Sequence, residues 1–256
     1  MPRFSANLGF LWAELPLLER IDRAAAMGFR AVELHWPYET PAKEVRAACA
    51  RHGLALLGIN TPVGERAGDF GLAAQPGRED EFMAGAQRAL DYCRAAGGTS
   101  VHVMAGVVPG ELREQATETL LRNLRTLAAR AEDLTLLLEP INHVDKPGYF
   151  YSRPVEACRI IDEVGTGNVR LMFDFYHAAH AEDDVLASLA ESYDHIGHVQ
   201  VAGYPSRQEP DEGVLDWEPA LRWLDERAYE GWVGAEYRAR AAVEEGLAWK
   251  NRWETG

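Results

Sequence analysis

Three carboxylate side chains stand at the ends of apolar stretches that have the length and composition of buried strands. "LTLLLE" ends in Glu139, "VRLMFD" ends in Asp174, and "WVGAEY" carries Glu236 next to its end. An ionised carboxylate without a partner in an apolar setting is costly, so it takes up a proton or requires a cation. At each of these strand ends we therefore expect water or a positive charge.

A fourth oxygen-bearing side chain follows the same rule, because "HVQ" places Gln200 at the end of another apolar stretch. From Glu139 through Asp174 and Gln200 to Glu236 the steps are 35, 26 and 36 residues, about one strand and helix each. Carboxylates brought to one rim repel one another unless a divalent cation lies between them. All four donors are oxygen atoms, which favours Mg²⁺ or Mn²⁺ over Zn²⁺. Taken singly, each acid is better explained as a helix cap or a solvated strand end, so the metal prediction depends on the four together.

The elements that must position these side chains alternate regularly along the chain. Apolar runs are separated by helical patterns, and Gly28, Gly53 and Gly97 stand where helices should end. Eight such units predict a parallel sheet closed into a (β/α)8 TIM barrel, with the active site at the carboxyl ends of the strands. The alternative is a doubly wound open sheet, but the GxGxxG turn of a dinucleotide-binding fold is missing after the first strand. The predicted strands are residues 4–10, 31–36, 54–60, 100–105, 134–139, 169–174, 195–202 and 232–237.

Composition indicates the broad class of protein. No Pro/Gly/Ser-rich linker or charge block divides the chain, which predicts one domain over residues 1–256. The beginning of the sequence lacks the apolar core of a signal peptide, and no run approaches the roughly 18 apolar residues of a membrane span. We therefore expect a cytoplasmic protein without a membrane partner. Cys49, Cys93 and Cys158 show no CxxC spacing, which indicates buried free thiols.

The charge balance narrows the possible partners. A formal net charge of −14 repels phosphate backbones, so nucleic acid is a poor partner candidate. A small anionic substrate would also be repelled, and its pocket would need a local cation. The sequence leaves the oligomeric state open, and a homo-oligomer is compatible with it.

The strand ends lie in segments that resemble a known family. "LLLEPINHVDKPGYFYSRPVEACRIIDEVGTGNVRLMFDFYHA" is similar to the hydroxypyruvate isomerase family within the xylose-isomerase-like barrels, as are residues 64–82, 198–217 and 231–240. The resemblance implies a TIM barrel with a metal held by residues matching Glu139, Asp174, Gln200 and Glu236. It also implies that Glu139 and Glu236 are the proton-transfer pair. Related sugar epimerases carry histidine at the position of Gln200, so the glutamine favours the hydroxypyruvate branch, and closely similar 2-oxo-tetronate isomerases share the pattern.

Four further residues are candidates for substrate binding. His177 follows Asp174 by three residues, so it can lean over the site from the start of a helix and bond a substrate oxygen. Arg207 in "GYPSRQEP" is the best candidate for the substrate carboxylate, since a guanidinium binds carboxylate through two parallel hydrogen bonds; the alternative is a surface pair with Glu209 or Asp211. His35 and His102 lie near strand ends and are candidates for the pocket lining. His195 and His198 flank an apolar strand and are predicted to bond backbone only.

These predictions describe an isomerase acting on a small anionic 2-oxo acid. Hydroxypyruvate and tartronate semialdehyde differ by a carbonyl moved between adjacent carbons, so the reaction passes through an enediolate that a divalent ion can stabilise as a Lewis acid. A 2-oxo-tetronate isomerase and a ketose 3-epimerase are alternatives on the same barrel. A metal-dependent phosphodiesterase or nuclease and a non-catalytic sugar-binding barrel are the alternatives from other classes. The long glycine-rich segment 60–77 is a candidate lid, and surface irregularity is the alternative.

Overall fold

Eight parallel strands follow one another in chain order around a closed barrel. The structure is a computed structural model that describes residues 2–182 and 184–255, so Met1, Asp183 and Gly256 of the predicted domain lie outside the described residues. Every strand overlaps a predicted one, and the TIM-barrel prediction is confirmed. The strands are β1 (Arg3–Asn7), β2 (Ala31–Glu33), β3 (Ala55–Asn60), β4 (Ser100–His102), β5 (Thr135–Leu138), β6 (Val169–Asp174), β7 (Ile196–Val201) and β8 (Trp232–Ala235).

The helices pack around the outside of the barrel because each has one apolar face. The helix Glu79–Ala96 buries Phe82, Ala86, Leu90 and Cys93, which recur three or four positions apart. Gly53 and Gly97 adopt left-handed conformations with φ of 65° and 81° at helix ends, as their positions predicted. The helices are α1 (Leu17–Ala26), α2 (Ala42–His52), α3 (Glu79–Ala96), α4 (Arg113–Ala128), α5 (Pro154–Val164), α6 (Phe175–Ala181), α7 (Val185–Ser192), α8 (Glu218–Glu226), α9 (Val243–Gly246) and α10 (Ala248–Thr255).

The apolar core lies between the strands and this ring of helices. The three cysteines are buried free thiols, as predicted. The barrel closes where β1 pairs with β8, from Arg3 opposite Trp232 to Ala6 opposite Ala235. Trp249 of α10 covers this seam with an edge-on contact to Phe4, their ring centroids 5.0 Å apart. Within the described residues, we find no helix with the length and apolar character needed to cross a membrane.

The long segment between β3 and α3 is held by a buried ion pair. The Arg78 guanidinium donates to both oxygens of Asp69 at 2.6 and 2.7 Å and also to Glu81. Gly71 has a φ of 109°, and a Cβ atom there would lie 2.5 Å from the Met104 carbonyl oxygen. The segment is therefore pinned against the turn that follows β4. Whether it acts as a lid stays a prediction.

Candidate active site

The carboxyl ends of β5 to β8 bring the four predicted oxygen-bearing side chains to one rim. Asp174 ends β6 and faces Gln200 of β7 in register, while Glu139 and Glu236 directly follow β5 and β8. All four side chains are buried. Asp174 also caps α6, because its Oδ1 accepts a hydrogen bond of 2.8 Å from the Tyr176 backbone N–H. Its other oxygen, Oδ2, is buried without a hydrogen-bond partner.

Glu139 and Asp174 lie beside His177, so that one ligand atom from each is within 4.8 Å of the others. His177 Nε2 is 3.6 Å from Glu139 Oε1 and 3.8 Å from Asp174 Oδ2. His102 approaches the other oxygen of Glu139, with Nδ1 at 3.4 Å from Oε2. The two carboxylates therefore converge as the sequence predicted, with two histidines against them.

The hydrogen bonds of His177 determine which of its ring nitrogens carries the proton. Its Nδ1 is 3.3 Å from the Asn142 backbone nitrogen and 2.6 Å from Asn142 Nδ2, and both of those groups are donors. Nδ1 must therefore be the accepting nitrogen, which leaves the proton on Nε2. Burial lowers the pKa of His177 well below its ordinary value, so the ring is neutral. His177 thus presents an N–H donor to the site, and its Nε2 has no lone pair for a metal.

Arg207 lies inside the site, between acidic side chains from three elements. Its Nη2 is 3.3 Å from Glu236 Oε2 and 3.7 Å from Asp174 Oδ2, and its Nη1 donates to Asp145 at 3.1 Å. The guanidinium carbon lies 4.7 Å from the ring centroid of Phe10 and 4.9 Å from that of Tyr176. Arg207 therefore lies beside the acids of the rim, and its contact with the substrate carboxylate stays a prediction.

The surface alternative for Arg207 is not realised. Glu209 accepts a hydrogen bond of 3.1 Å from the Arg240 backbone N–H, and Asp211 pairs with Arg252. Arg207 therefore remains available to the acids of the rim.

His35 and His102 line the same cleft, as expected. His35 Nε2 is 2.9 Å from Glu236 Oε1, and the ring packs edge-on against Phe10. Burial lowers the pKa of His102 to about 4, so it is a neutral ring, and its Nε2 is buried without a partner. His102 can therefore offer a hydrogen bond to a ligand without adding charge.

The pKa values of the three acids are shifted in different directions. Burial, together with the charges of Glu236 and Asp174, raises the pKa of Glu139 well above its ordinary value. Burial and the Glu236 charge raise the pKa of Asp174 to about 7. Burial acts on Glu236 in the same direction, but Arg207 and His35 outweigh it and lower that pKa to about 2. Without a further cation, the rim therefore favours a protonated acid at Glu139 beside an ionised one at Glu236.

Two buried oxygen atoms on the rim have no hydrogen-bond partner, and such atoms are candidate ligands of a metal ion. Gln200 Nε2 donates to Glu33 Oε2 at 2.8 Å, while Gln200 Oε1 and Asp174 Oδ2 have no partner. A buried oxygen of this kind calls for a partner such as an ordered water or a cation. A hard divalent cation is bound by oxygens of this kind, so the donor set fits Mg²⁺ or Mn²⁺.

Sequence reasoning missed several residues around the site. Glu33 ends β2 and is buried beneath the rim, with His198 Nε2 at 3.0 Å from its Oε2, so the prediction that His198 bonds only backbone was wrong. His195 likewise bonds a side chain, Asp162, at 2.9 Å. The sequence signal for Glu33 is weaker than that for Glu139, because Glu33 stands inside the predicted strand 31–36 and not at its end.

The rim opens into a cleft of about 490 Å³. Lys146 lies on its wall, 4.0 Å above the ring centroid of Phe70, and adds a second cation that the sequence reasoning did not identify. Aromatic residues, cations and the acidic rim thus face one space. Besides Glu139 and Glu236 of the rim, its lining includes Phe10, Trp36, Phe70, Asp145, Lys146 and Arg238.

Comparison with known proteins agrees with this fold and rim. Residues 21–253 match the model of the xylose isomerase-like TIM barrel family, and the chain belongs to that family. It is 44% identical over 253 residues to the 2-oxo-tetronate isomerase of Cupriavidus necator, covering 97% of each chain. It is 38% identical to the hydroxypyruvate isomerase of Escherichia coli, covering 97% of this chain and 98% of that one. The resemblance stated from the sequence is thus confirmed, and the chain is an enzyme similar to these isomerases.

A solved structure has the same fold. The crystal structure described as an AP endonuclease of family 2 from Brucella melitensis superposes with a TM-score of 0.95 at 37% identity, covering 98% of this chain and 99% of that one. The whole barrel, including its loops, therefore has a solved counterpart.

Proposed function

We propose that this protein is a divalent-metal-dependent isomerase that interconverts hydroxypyruvate and tartronate semialdehyde through an enediolate. The observation that carries the proposal is the convergence of Glu139, Asp174 and Glu236, buried, beside oxygens without partners. Such a cluster is costly to fold and is explained by a bound cation. The relatives named as hydroxypyruvate isomerases support the reaction class.

The residues proposed to hold the metal are Glu139, Asp174, Gln200 and Glu236. When bound, Mg²⁺ or Mn²⁺ would act as a Lewis acid that stabilises the negative charge of the enediolate. Oxygen-only ligation is the reason for preferring these ions.

Glu139 and Glu236 are proposed as the proton-transfer pair. In the forward direction one carboxylate removes a proton from C3 of hydroxypyruvate, and a proton is then delivered to C2 while the hydroxyl proton moves from O3 to O2. The two glutamates follow β5 and β8, so they approach the substrate from different sides. His35, at 2.9 Å, holds Glu236 in place for this role.

The remaining cleft residues bind and orient the substrate. The N–H of His177 points toward Glu139 and Asp174, where it can donate to a substrate oxygen. Arg207 is proposed to bind the substrate carboxylate, which explains how a strongly acidic chain attracts an anion. His102 completes the wall on the side of Glu139.

A four-carbon 2-oxo-tetronate is the second candidate substrate. Two observations favour it: the 44% identical relative carries that name, and the cleft of about 490 Å³ has room for a longer chain than three carbons. A ketose 3-epimerase would use the same pair on a neutral sugar, so dependence on the substrate carboxylate would argue against it. A nuclease is disfavoured by the charge of −14. The three buried thiols support a cytoplasmic location.

The test is a panel of 2-oxo acids and ketoses incubated with the protein and Mg²⁺ or Mn²⁺ in deuterated water. We expect isomerisation of hydroxypyruvate or of a four-carbon homologue, with deuterium at the carbon next to the carbonyl. Removal of metal by a chelator should abolish the exchange, and added Mn²⁺ should restore it. The absence of exchange with every 2-oxo acid and ketose would reject both the isomerase and the epimerase.

A further inference from the structure

A second buried polar cluster lies directly beneath the rim, centred on Glu33. Ser5 Oγ donates to Glu33 Oε1 at 2.6 Å, and Gln200 Nε2 donates to Glu33 Oε2 at 2.8 Å. His198 Nε2 reaches the same Oε2 at 3.0 Å. Glu33 thus accepts hydrogen bonds from β1 and β7 and lies within ion-pair distance of His198, and none of these contacts faces the open cleft.

The contact with Gln200 fixes which way its amide faces. The two ends of a primary amide have almost the same shape, but only the nitrogen donates and only the oxygen accepts. Because a carboxylate accepts hydrogen bonds, the amide nitrogen must face Glu33, and the oxygen must face away. Gln200 Oε1 is accordingly the end that lies on the rim, buried and without a partner.

Without Glu33 the opposite orientation would be favoured. Gln200 pairs in register with Asp174, and the rim beyond it holds acids that readily accept an amide N–H. A freely turning amide would donate to those carboxylates, which would remove one oxygen ligand and occupy part of their capacity to bind a cation. Glu33, beneath the rim, therefore competes with the acids of the rim for the amide N–H of Gln200.

The space for this arrangement is built into β8. A Cβ atom at Gly234 would lie 2.3 Å from Glu33 Oε1 and 2.9 Å from Gln200 Cγ. Any larger residue there would displace one of the two side chains. Gly234 pairs with Gln200 in register, so the gap lies where the glutamine side chain crosses the barrel.

We propose that Glu33 is a positioning residue that holds the carbonyl oxygen of Gln200 toward the metal site. This inference rests on the proposed function, since it concerns the same divalent cation. Glu33 does not line the open cleft, and the role assigned to it requires no contact with the substrate or the metal. Its effect passes through Gln200 alone, and that distinguishes it from a residue that merely stabilises the barrel.

The test is Mn²⁺ binding by the purified protein, measured by calorimetry, combined with a double-mutant cycle. Glu33→Met removes the acceptor at similar size and should weaken Mn²⁺ binding about 10- to 100-fold, the usual effect of losing a group that orients a ligand. Glu33→Gln still offers an oxygen to Gln200 and should stay within a few-fold of the unmutated protein. In a Gln200→Met background, Glu33→Met should cause no additional loss. Asn123→Leu, a buried polar change in α4, controls for general loss of stability.

Each other outcome overturns the inference. Unchanged Mn²⁺ binding in Glu33→Met, equal losses in Glu33→Gln and Glu33→Met, or additive losses in the double variant would show that Glu33 does not act through Gln200. An unmutated protein that binds no Mn²⁺ would reject the metal proposal itself, and this assignment with it.

A measurement on the unmutated protein covers the case in which Glu33→Met does not fold. In nuclear magnetic resonance, Mg²⁺ should shift the Gln200 side-chain carbonyl carbon while its NH₂ protons stay protected from exchange. Rapid exchange of those protons would contradict the bond to Glu33.

Discussion

Two clusters of buried charge can be compared, one around Arg78 and one on the rim. Around Arg78, a single guanidinium donates to Asp69 and Glu81 through four hydrogen bonds of 2.6 to 2.9 Å. On the rim, Arg207 faces Asp145, Asp174 and Glu236 at 3.1 to 3.7 Å, and some oxygens have no partner. In the first cluster the protein itself supplies the hydrogen-bond partners of the charged groups, whereas in the second it leaves some oxygens without a partner.

The difference separates a structural role from a functional one. A satisfied ion pair fixes a segment, here the one between β3 and α3, and requires nothing further. An unsatisfied one costs stability and is explained by a ligand that completes it. Four predictions test this separation, beginning with the largest expected effect.

Replacing Glu139 should greatly reduce isomerase activity without destabilising the fold. Glu139→Gln removes one of the two proposed proton-transfer groups, and we expect isomerisation to fall about 10²- to 10⁴-fold. Thermal stability without metal should stay the same or rise, because a neutral amide replaces a carboxyl group whose ionised form is disfavoured by burial and by its acidic neighbours. Activity assays and calorimetric unfolding measure the two effects. Glu118→Gln, an exposed change on α4, serves as control, and a Glu139→Gln variant with full activity would remove Glu139 from the mechanism.

The Arg78 cluster should show the opposite behaviour. Arg78→Met leaves Asp69 buried without its partner, and breaking a buried pair in this way costs about 3–5 kcal/mol. We expect a clear loss in the free energy of unfolding by urea, with Mn²⁺ affinity unchanged at temperatures where the variant is folded. Arg122→Met removes an exposed pair with Glu79 and should cost less than about 1 kcal/mol. Equal losses in the two variants would contradict the structural role.

Arg207 should affect substrate binding more than turnover. Arg207→Met removes the guanidinium proposed to bind the substrate carboxylate, and hydrogen bonds to charged groups of this kind contribute about 1.5–3 kcal/mol. We therefore expect KM to rise roughly 10- to 100-fold with a smaller change in kcat. Arg222→Met, a change at an exposed arginine of α8, is the control and should leave KM unchanged. A fall in kcat with unchanged KM would assign Arg207 a different role.

The smallest effect concerns pH. Hydrogen bonds from Arg78 hold the pKa of Asp69 below its ordinary value. A carboxyl whose pKa is lowered by folding stabilises the protein above its unfolded pKa of about 4, and that contribution is lost as the pH falls toward the folded value. The Tm difference between the unmutated protein and Asp69→Asn should be greatest near pH 7 and shrink below pH 4. A difference that does not vary with pH would exclude this linkage.

Much of the fold and part of the site could be predicted from the sequence. Apolar runs indicated all eight strands, because a strand that is buried in a parallel sheet consists of a short run of apolar residues. Glu139, Asp174 and Glu236 were identifiable because each carboxylate directly follows such a run, and a barrel brings those ends together.

Pairings between distant residues could not be predicted in the same way. The sequence pattern places Glu33 in the middle of a strand over 31–36, whereas β2 ends at Glu33 itself, so the pattern does not identify it as a terminal carboxylate. Its partner His198 lies on β7, and only closure of the barrel brings the two within 3.0 Å. The direction of the Gln200 amide depends on that same contact, and no local pattern encodes it.

The pairing of β1 with β8 has a consequence for synthesis on the ribosome. The first strand to emerge must wait for the last before both its edges are hydrogen-bonded, and long-range parallel pairing of this kind is slow. Glu236 directly follows that last strand. The nascent chain therefore carries most of the acidic rim before its final member arrives, and a newly made molecule can assemble the complete rim only at the moment the cylinder shuts.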